Sequence, residues 1–87
     1  MTKEIILKLD KKWFKKVESG KKRFEVRLGD KNIKEGDVLV LLEKDETGKL
    51  TGKKLKKNVD SVLNLKEIDY WSYGDVARNG FIVASLS

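Results

Sequence analysis

The sequence predicts a small α+β protein, mainly β: a barrel of five to six strands with one short helix near the N-terminus. Three observations carry this. Short apolar or alternating runs recur along the chain, separated by Gly- and Asp-containing turns, which is the signature of a sandwich or barrel. A single stretch, near the start, has helical spacing. The 87 residues suit one domain, 1–87, and one core; a chain of this mass buries about 60–65% of its unfolded surface.

Glu4 to Leu9 (EIILKL) reads as the first strand, and Asp10 offers a helix N-cap. In Lys11 to Ser19 (KKWFKKVES), Trp13, Phe14 and Val17 share a stripe, so both aromatics are expected in the core rather than on a stacking surface. Gly20 then supplies the left-handed position that ends a helix. Lys11, Lys12, Lys15 and Lys16 form two like-charged i,i+4 pairs, each costing a few tenths of a kcal/mol. Lys11 and Lys12 also sit at the positive end of the helix dipole. A partner anion explains this pattern, and so does drift on a tolerant surface.

Lys22 to Arg27 (KRFEVR) alternates as a strand does. Phe24 and Val26 are expected to build the barrel, with Arg23, Glu25 and Arg27 on the other face. Leu28 to Asn32 is a turn or loop, and Ile33 to Asp37 ends in a Gly-Asp turn that is structural: the Gly permits a tight turn and the Asp bonds backbone N–H groups. Val38 to Leu42 (VLVLL) is apolar on both parities, as a strand buried on both sides would be. Asp45-Glu46-Thr47-Gly48 is a hairpin turn, Lys49 to Leu65 is strand material with a bulge at Gly52, 66–79 is a loop with one helical turn, and Phe81 to Leu86 closes the barrel.

Composition narrows the chemistry. There is no Cys and no His, which removes disulfides and the usual zinc, iron–sulfur and haem ligand sets. No Asp/Glu cluster has the spacing of a cation-binding loop, so no metal and no cofactor is expected. No apolar run reaches membrane-spanning length and Met1-Thr2-Lys3-Glu4 does not read as a signal peptide, so the expectation is a cytoplasmic monomer without membrane association. Twenty Lys/Arg against fourteen Asp/Glu give a net charge of +6. A basic domain of this size is drawn to polyanions, nucleic acid first.

One segment is more specific. Trp13 to Arg27, followed by Gly36-Asp37-Val38-Leu39, resembles an ASCH domain, and more closely the small DUF3850-type members of the PUA-like superfamily. The shared pattern is an aromatic and apolar helix, Gly20-x-Lys22-x-Phe24-Glu25-x-Arg27, a polar loop, then Gly36-Asp37 and an apolar strand. The resemblance continues through an acidic, Gly-containing hairpin, Asp45 to Gly52, and a closing strand from Gly80 to Val83. It implies a PUA-like barrel whose cleft beside the first helix is lined by the Gly-x-Lys-x-Phe-Glu-x-Arg segment. It also implies RNA as partner, or hydrolysis of N4-acetylated cytidine, as in some small members. That hydrolase pattern uses a Lys after the Gly, a Thr three residues on and a distant Glu; Lys22 matches the Lys, but Glu25 stands where the hydroxyl nucleophile belongs.

The expected function is thus a non-catalytic RNA-binding module with a single-stranded or structured RNA as partner. The alternative is a small amidohydrolase for a modified nucleoside or nucleotide, with Lys22 and Glu25 as acid–base pair. A protein-interaction domain is a third reading. In the cleft, Arg27 can hold a phosphate bidentately, Lys22 supplies a point charge, and Glu25 can accept from a base amino group. The bland counterpart is a cross-strand ion-pair set on a solvated face. Asp30 and Lys31 either orient Arg27 and touch the ligand or form a polar turn. Lys11, Lys12 and Lys15 are candidate phosphate contacts. Tyr70 and Trp71, with Tyr73 nearby, either stack on bases or pack over the barrel end. Lys53 to Lys57 (KKLKK) is either a phosphate-contacting strand or a charged edge that resists aggregation.

Overall fold

The computed structural model describes residues 2–28, 31–64 and 81–87. Among these described residues, five strands and one helix follow in the order β1 (Glu4–Asp10), α1 (Lys11–Glu18), β2 (Phe24–Leu28), β3 (Val38–Lys44), β4 (Leu50–Asn64) and β5 (Phe81–Leu86). The strands make one sheet in the order β1-β3-β4-β5-β2, curled into a half-barrel. β1 and β3 are parallel, which the intervening helix and β2 make possible. The other pairings are antiparallel.

The long strand β4 joins the two halves. Its first part, Leu50 to Asn58, pairs with β3; its second, Val59 to Asn64, pairs with β5. Where it changes partner, Val59 faces Leu86 and Ser61 faces Ser85, so Asp60 is an extra residue. Such a bulge bends a strand and increases its twist. A second irregularity lies between the Leu42–Lys54 and Lys44–Leu50 pairs, where Gly52 adopts φ +96°. This is the bulge expected there.

The core lies inside the curl. Leu7 and Leu9 of β1, Leu39 and Leu41 of β3, Val59 of β4, and Ile82, Ala84 and Leu86 of β5 meet Phe14 and Val17 of α1. Val40 is also buried, on the opposite face of β3, so this strand is covered on both sides as its apolar run predicts. Asp37 bonds backbone as expected: its carboxylate accepts from the Lys34 N–H at 2.8 Å and from the Lys3 N–H at 3.4 Å.

The helix ends as expected and differs from expectation in two respects. It runs to Glu18, with Ser19 as C-cap and Gly20 beyond it at φ +80°, the left-handed position assigned to it. Asp10 occupies the N-cap position but makes no side-chain capping bond; its carboxylate faces Lys44 at 3.6 Å. Trp13 is not in the core. An eight-residue helix presents only Phe14 and Val17 to the sheet, and Trp13, one step around the helix from Phe14, is 40% exposed.

The facing of β2 is reversed relative to expectation. Phe24 and Val26 are each 45% exposed and Glu25 is buried at 4%. The cause is the partner strand. Glu25 lies opposite Ala84 and Arg27 opposite Ile82, and both β5 residues point into the core. Paired residues share a face, so the charged parity of β2 turns inward.

Candidate functional site

The polar residues of β2 meet at the open side of the curl. In the sheet order β1 and β2 are the two end strands. A groove of about 800 Å³ runs between them and beside α1. Its floor is an ion cluster. Lys22 Nζ donates to Glu25 Oε1 at 3.0 Å, and Arg27 Nε donates to Glu25 Oε2 at 2.6 Å. Arg27 Nη2 also donates to the Lys8 carbonyl at 2.9 Å, so one guanidinium ties β2 to β1 where backbone pairing is absent. The two cations exceed the one carboxylate, and the cluster carries a net positive charge.

The local sequence explains how the cluster is held. Gly20 turns the chain off the helix, with its N–H donating to the Val17 carbonyl. The Lys22 N–H donates to the Lys16 carbonyl and fixes the approach to β2. Lys22 thus lies at the mouth of the strand, one turn of backbone from α1, with Glu25 within reach.

The walls are apolar and the rim is basic. Trp13, Phe24 and Val26 line the groove, with Leu9 deeper in. Lys12 Nζ and Lys16 Nζ lie 4.7 and 5.3 Å from the Trp13 ring centroid, and Lys22 Nζ lies 5.2 Å from that of Phe24. These are cation–π distances. Lys8, Lys16, Lys21 and Lys44 complete the rim, with Asp10 as the acid among them. The described residues lining the groove include no Ser, Thr or Tyr. Among the described residues no three carboxylates converge as a metal site would require.

The predicted site residues divide accordingly. Lys22, Glu25 and Arg27 are brought together. Glu25 has both oxygens engaged by cations, and its side chain is 5% exposed, so little of its remaining acceptor capacity faces the groove. Lys11 and Lys12 border a second, smaller hollow between the start of α1 and the Asp45–Gly48 turn. There the Thr47 hydroxyl, at 2.6 Å, and the backbone N–H groups of Lys49 and Thr47 hold the Asp45 carboxyl below its ordinary pKa. Lys15 is exposed and lines neither hollow. Lys31 borders a third hollow with Val62 and Ile82, away from the ion cluster. Asp30, Tyr70 and Trp71, with Tyr73, lie outside the described residues.

Within Lys53 to Lys57, Lys56 pairs with Glu4 at 3.0 Å and Lys53 approaches Glu18 at 4.0 Å. Among the described residues, that part of β4 is paired only on its β3 side. Sequence reasoning ran the Gly20–Arg27 segment along the cleft but assigned Trp13, Phe24 and Val26 to the core and barrel, and did not single out Lys8 and Lys44 as rim residues. The available signal was an aromatic between lysines on a helix too short to bury it.

Comparison with known proteins follows the same segment. Residues 6–74 match the family described as "Domain of unknown function (DUF3850)", and the match contains β1 from Ile6 onward, α1, β2 and Lys22, Glu25 and Arg27 of the groove floor. The chain belongs to the DUF3850 family. A curated relative, the uncharacterized 12.9 kDa protein in the GpA 3′ region of Escherichia phage P2, is 39% identical over 61 residues. That alignment covers 70% of this DUF3850 chain and 55% of the phage protein, so the chain spans little more than half the length of this relative. Among solved structures, the crystal structure of hypothetical protein PH0355 superposes with a TM-score of 0.63 at 17% identity, covering 100% of this chain and 98% of that one. At that identity the likeness is one of fold. No described helix is long and apolar enough to cross a membrane.

Proposed function

We propose that this DUF3850 chain is a PUA-like, ASCH-type RNA-binding module that takes an unpaired base or nucleotide into the groove beside α1 without catalysis. The observation that supports this is the combination of two half-exposed aromatic rings, Trp13 and Phe24, with a basic rim around one concave site. Exposed aromatic faces stack on bases and surrounding lysines neutralise phosphates, the two components of single-strand binding. Glu25 stands where the hydrolase pattern places its hydroxyl nucleophile and is tied to Lys22 and Arg27, which supports binding over a hydrolase that works through a covalent intermediate.

The test is fluorescence anisotropy with short single-stranded RNA at two salt concentrations, on the intact chain and on Trp13→Ala. Binding that weakens with salt, and that falls with loss of the ring, is expected. Stacking on one ring contributes about 1–3 kcal/mol. Absent or salt-insensitive binding overturns the reading. Release of acetate from N4-acetylcytidine, lost on Lys22→Met, would replace it with the hydrolase.

A further inference from the structure

The hydrogen-bond inventory of the groove floor indicates which edge of a base it can recognise. We infer that the floor reads two adjacent hydrogen-bond acceptors, and that the preferred base is an unpaired guanine presenting O6 and N7. This rests on the RNA-binding reading and deepens it.

The argument begins with what remains unused. Glu25 is the carboxylate of the floor, and each of its oxygens already accepts from a cation. With its side chain 5% exposed, the lone pairs left on it are screened from a base in the groove. Lys22 has three ammonium protons and spends one on Glu25. Arg27 spends Nε on Glu25 and one Nη2 proton on the Lys8 carbonyl, leaving Nη1 without a partner among the described residues. The Lys8 carbonyl, on the opposite strand, already accepts that same bond. Among the described residues, the floor side chains that reach the groove most, Lys22 and Arg27 at 15% and 24% exposed against 5% for Glu25, are therefore donors. Asp10, the other carboxylate at the groove, stands on the rim beside Lys44, largely in water.

A donor-only floor suits either an anion or an acceptor edge. The surroundings decide between them. Lys22 and Arg27 are already half-neutralised by Glu25, and Phe24, Val26 and Trp13 make the walls apolar. A hydrated phosphate gains little between aromatic walls, whereas a flat base buries its faces there and turns an edge to the donors. The solvated rim lysines Lys16 and Lys21 are left for phosphates. Guanine presents N7 and O6 side by side, whereas adenine places an amino donor beside N7. Uracil interposes an N–H between its two oxygens. Cytosine also sets two acceptors side by side, N3 and O2, but its single ring buries less face between Trp13, Phe24 and Val26. Two donors therefore oppose adenine, and the apolar walls favour guanine over cytosine.

The experiment measures binding of short uridine RNAs that differ in one central base: guanine, adenine, cytosine, or guanine with N7 replaced by carbon. All four carry the same phosphates, and the protein is unchanged throughout. Guanine is expected to bind about tenfold tighter than adenine, within the range of one bidentate base contact. The N7-to-carbon replacement is expected to lose most of that advantage. Lys22→Met should bring guanine and adenine together, whereas Trp13→Ala should weaken both equally. If all four RNAs bind alike and with salt sensitivity, or cytosine exceeds guanine, the guanine assignment falls and the RNA-binding reading stands. If folded protein binds none of them, both fall.

Discussion

Glu25→Gln isolates what the buried carboxylate contributes to the fold. The side chain of Glu25 is 5% exposed, while those of Lys22 and Arg27 are 15% and 24% exposed. A glutamine preserves shape but offers one acceptor in place of two and turns an N–H₂ group toward the second cation. One charge-assisted bond is lost outright and the other weakened; such bonds contribute about 1.5–3 kcal/mol each. Lys22 and Arg27 both reach the groove, so water recovers part of the loss. The expected destabilisation is about 2 kcal/mol, below the roughly 3–5 kcal/mol for breaking a fully buried pair. For a chain of this size that lowers Tm by about 8–16 °C. The assay is urea denaturation followed by circular dichroism, with the midpoint compared at unchanged m-value. Adding Lys22→Met to Glu25→Gln should recover part of the loss, because it removes an unpaired cation. A loss below about 0.5 kcal/mol, the level of an ordinary surface ion pair, would refute the buried-cluster reasoning. So would a double variant no more stable than Glu25→Gln alone.

Three further outcomes follow from the same structure. Phe14→Ala should cost about 3–5 kcal/mol in denaturant midpoint, while Trp13→Ala should cost under about 1 kcal/mol, because only Phe14 is sealed in the core. Gly20→Ala should cost about 1 kcal/mol in the same assay and Gly20→Asn less, since an added Cβ meets open space and the penalty is that of φ +80° alone. Asp45, held below its ordinary pKa first by the Thr47 hydroxyl and then by the Lys49 N–H, contributes stability that is fully present above its unfolded pKa and lost as pH falls through its lower folded pKa. Melting curves from neutral to acidic pH should show that loss, and Asp45→Asn should flatten its share of it.

Much of this molecule was legible in the sequence because glycines, turns and apolar parity are local signals. Gly20, Gly36, Gly48 and Gly52 all adopt positive φ at the helix end, the Gly-Asp turn, the hairpin and the bulge. Alternation put Glu25 and Arg27 on one face; Lys22, of the other parity, was joined to them by the resemblance of Gly20-x-Lys22-x-Phe24-Glu25-x-Arg27 to the family pattern. What that segment could not disclose was its facing. Alternation states which residues share a side; the partner strand β5 decides which side is inward, and that partner is more than fifty residues away in sequence. The same limit applies to Trp13. Helical spacing put it on a stripe with Phe14 and Val17, and only the short length of α1 and its seat on β1 and β3 excluded it. The bond from Arg27 to the Lys8 carbonyl had no local signature, because it joins strands that are not paired.

The position of the groove in the sheet order has a consequence for assembly. Its two walls belong to β1 and β2, the terminal strands of a single continuous series. The β3–β4 hairpin closes over a short turn, whereas β1 with β3 and β2 with β5 must bring together distant parts of the chain. Non-local pairings of this kind slow folding. The groove therefore takes shape only after every intervening strand has docked, and slippage at any one ladder separates its walls. Under the proposed function, ligand binding would report on the integrity of the entire sheet, and a bound ligand spanning the seam would hold all five strands in register at once.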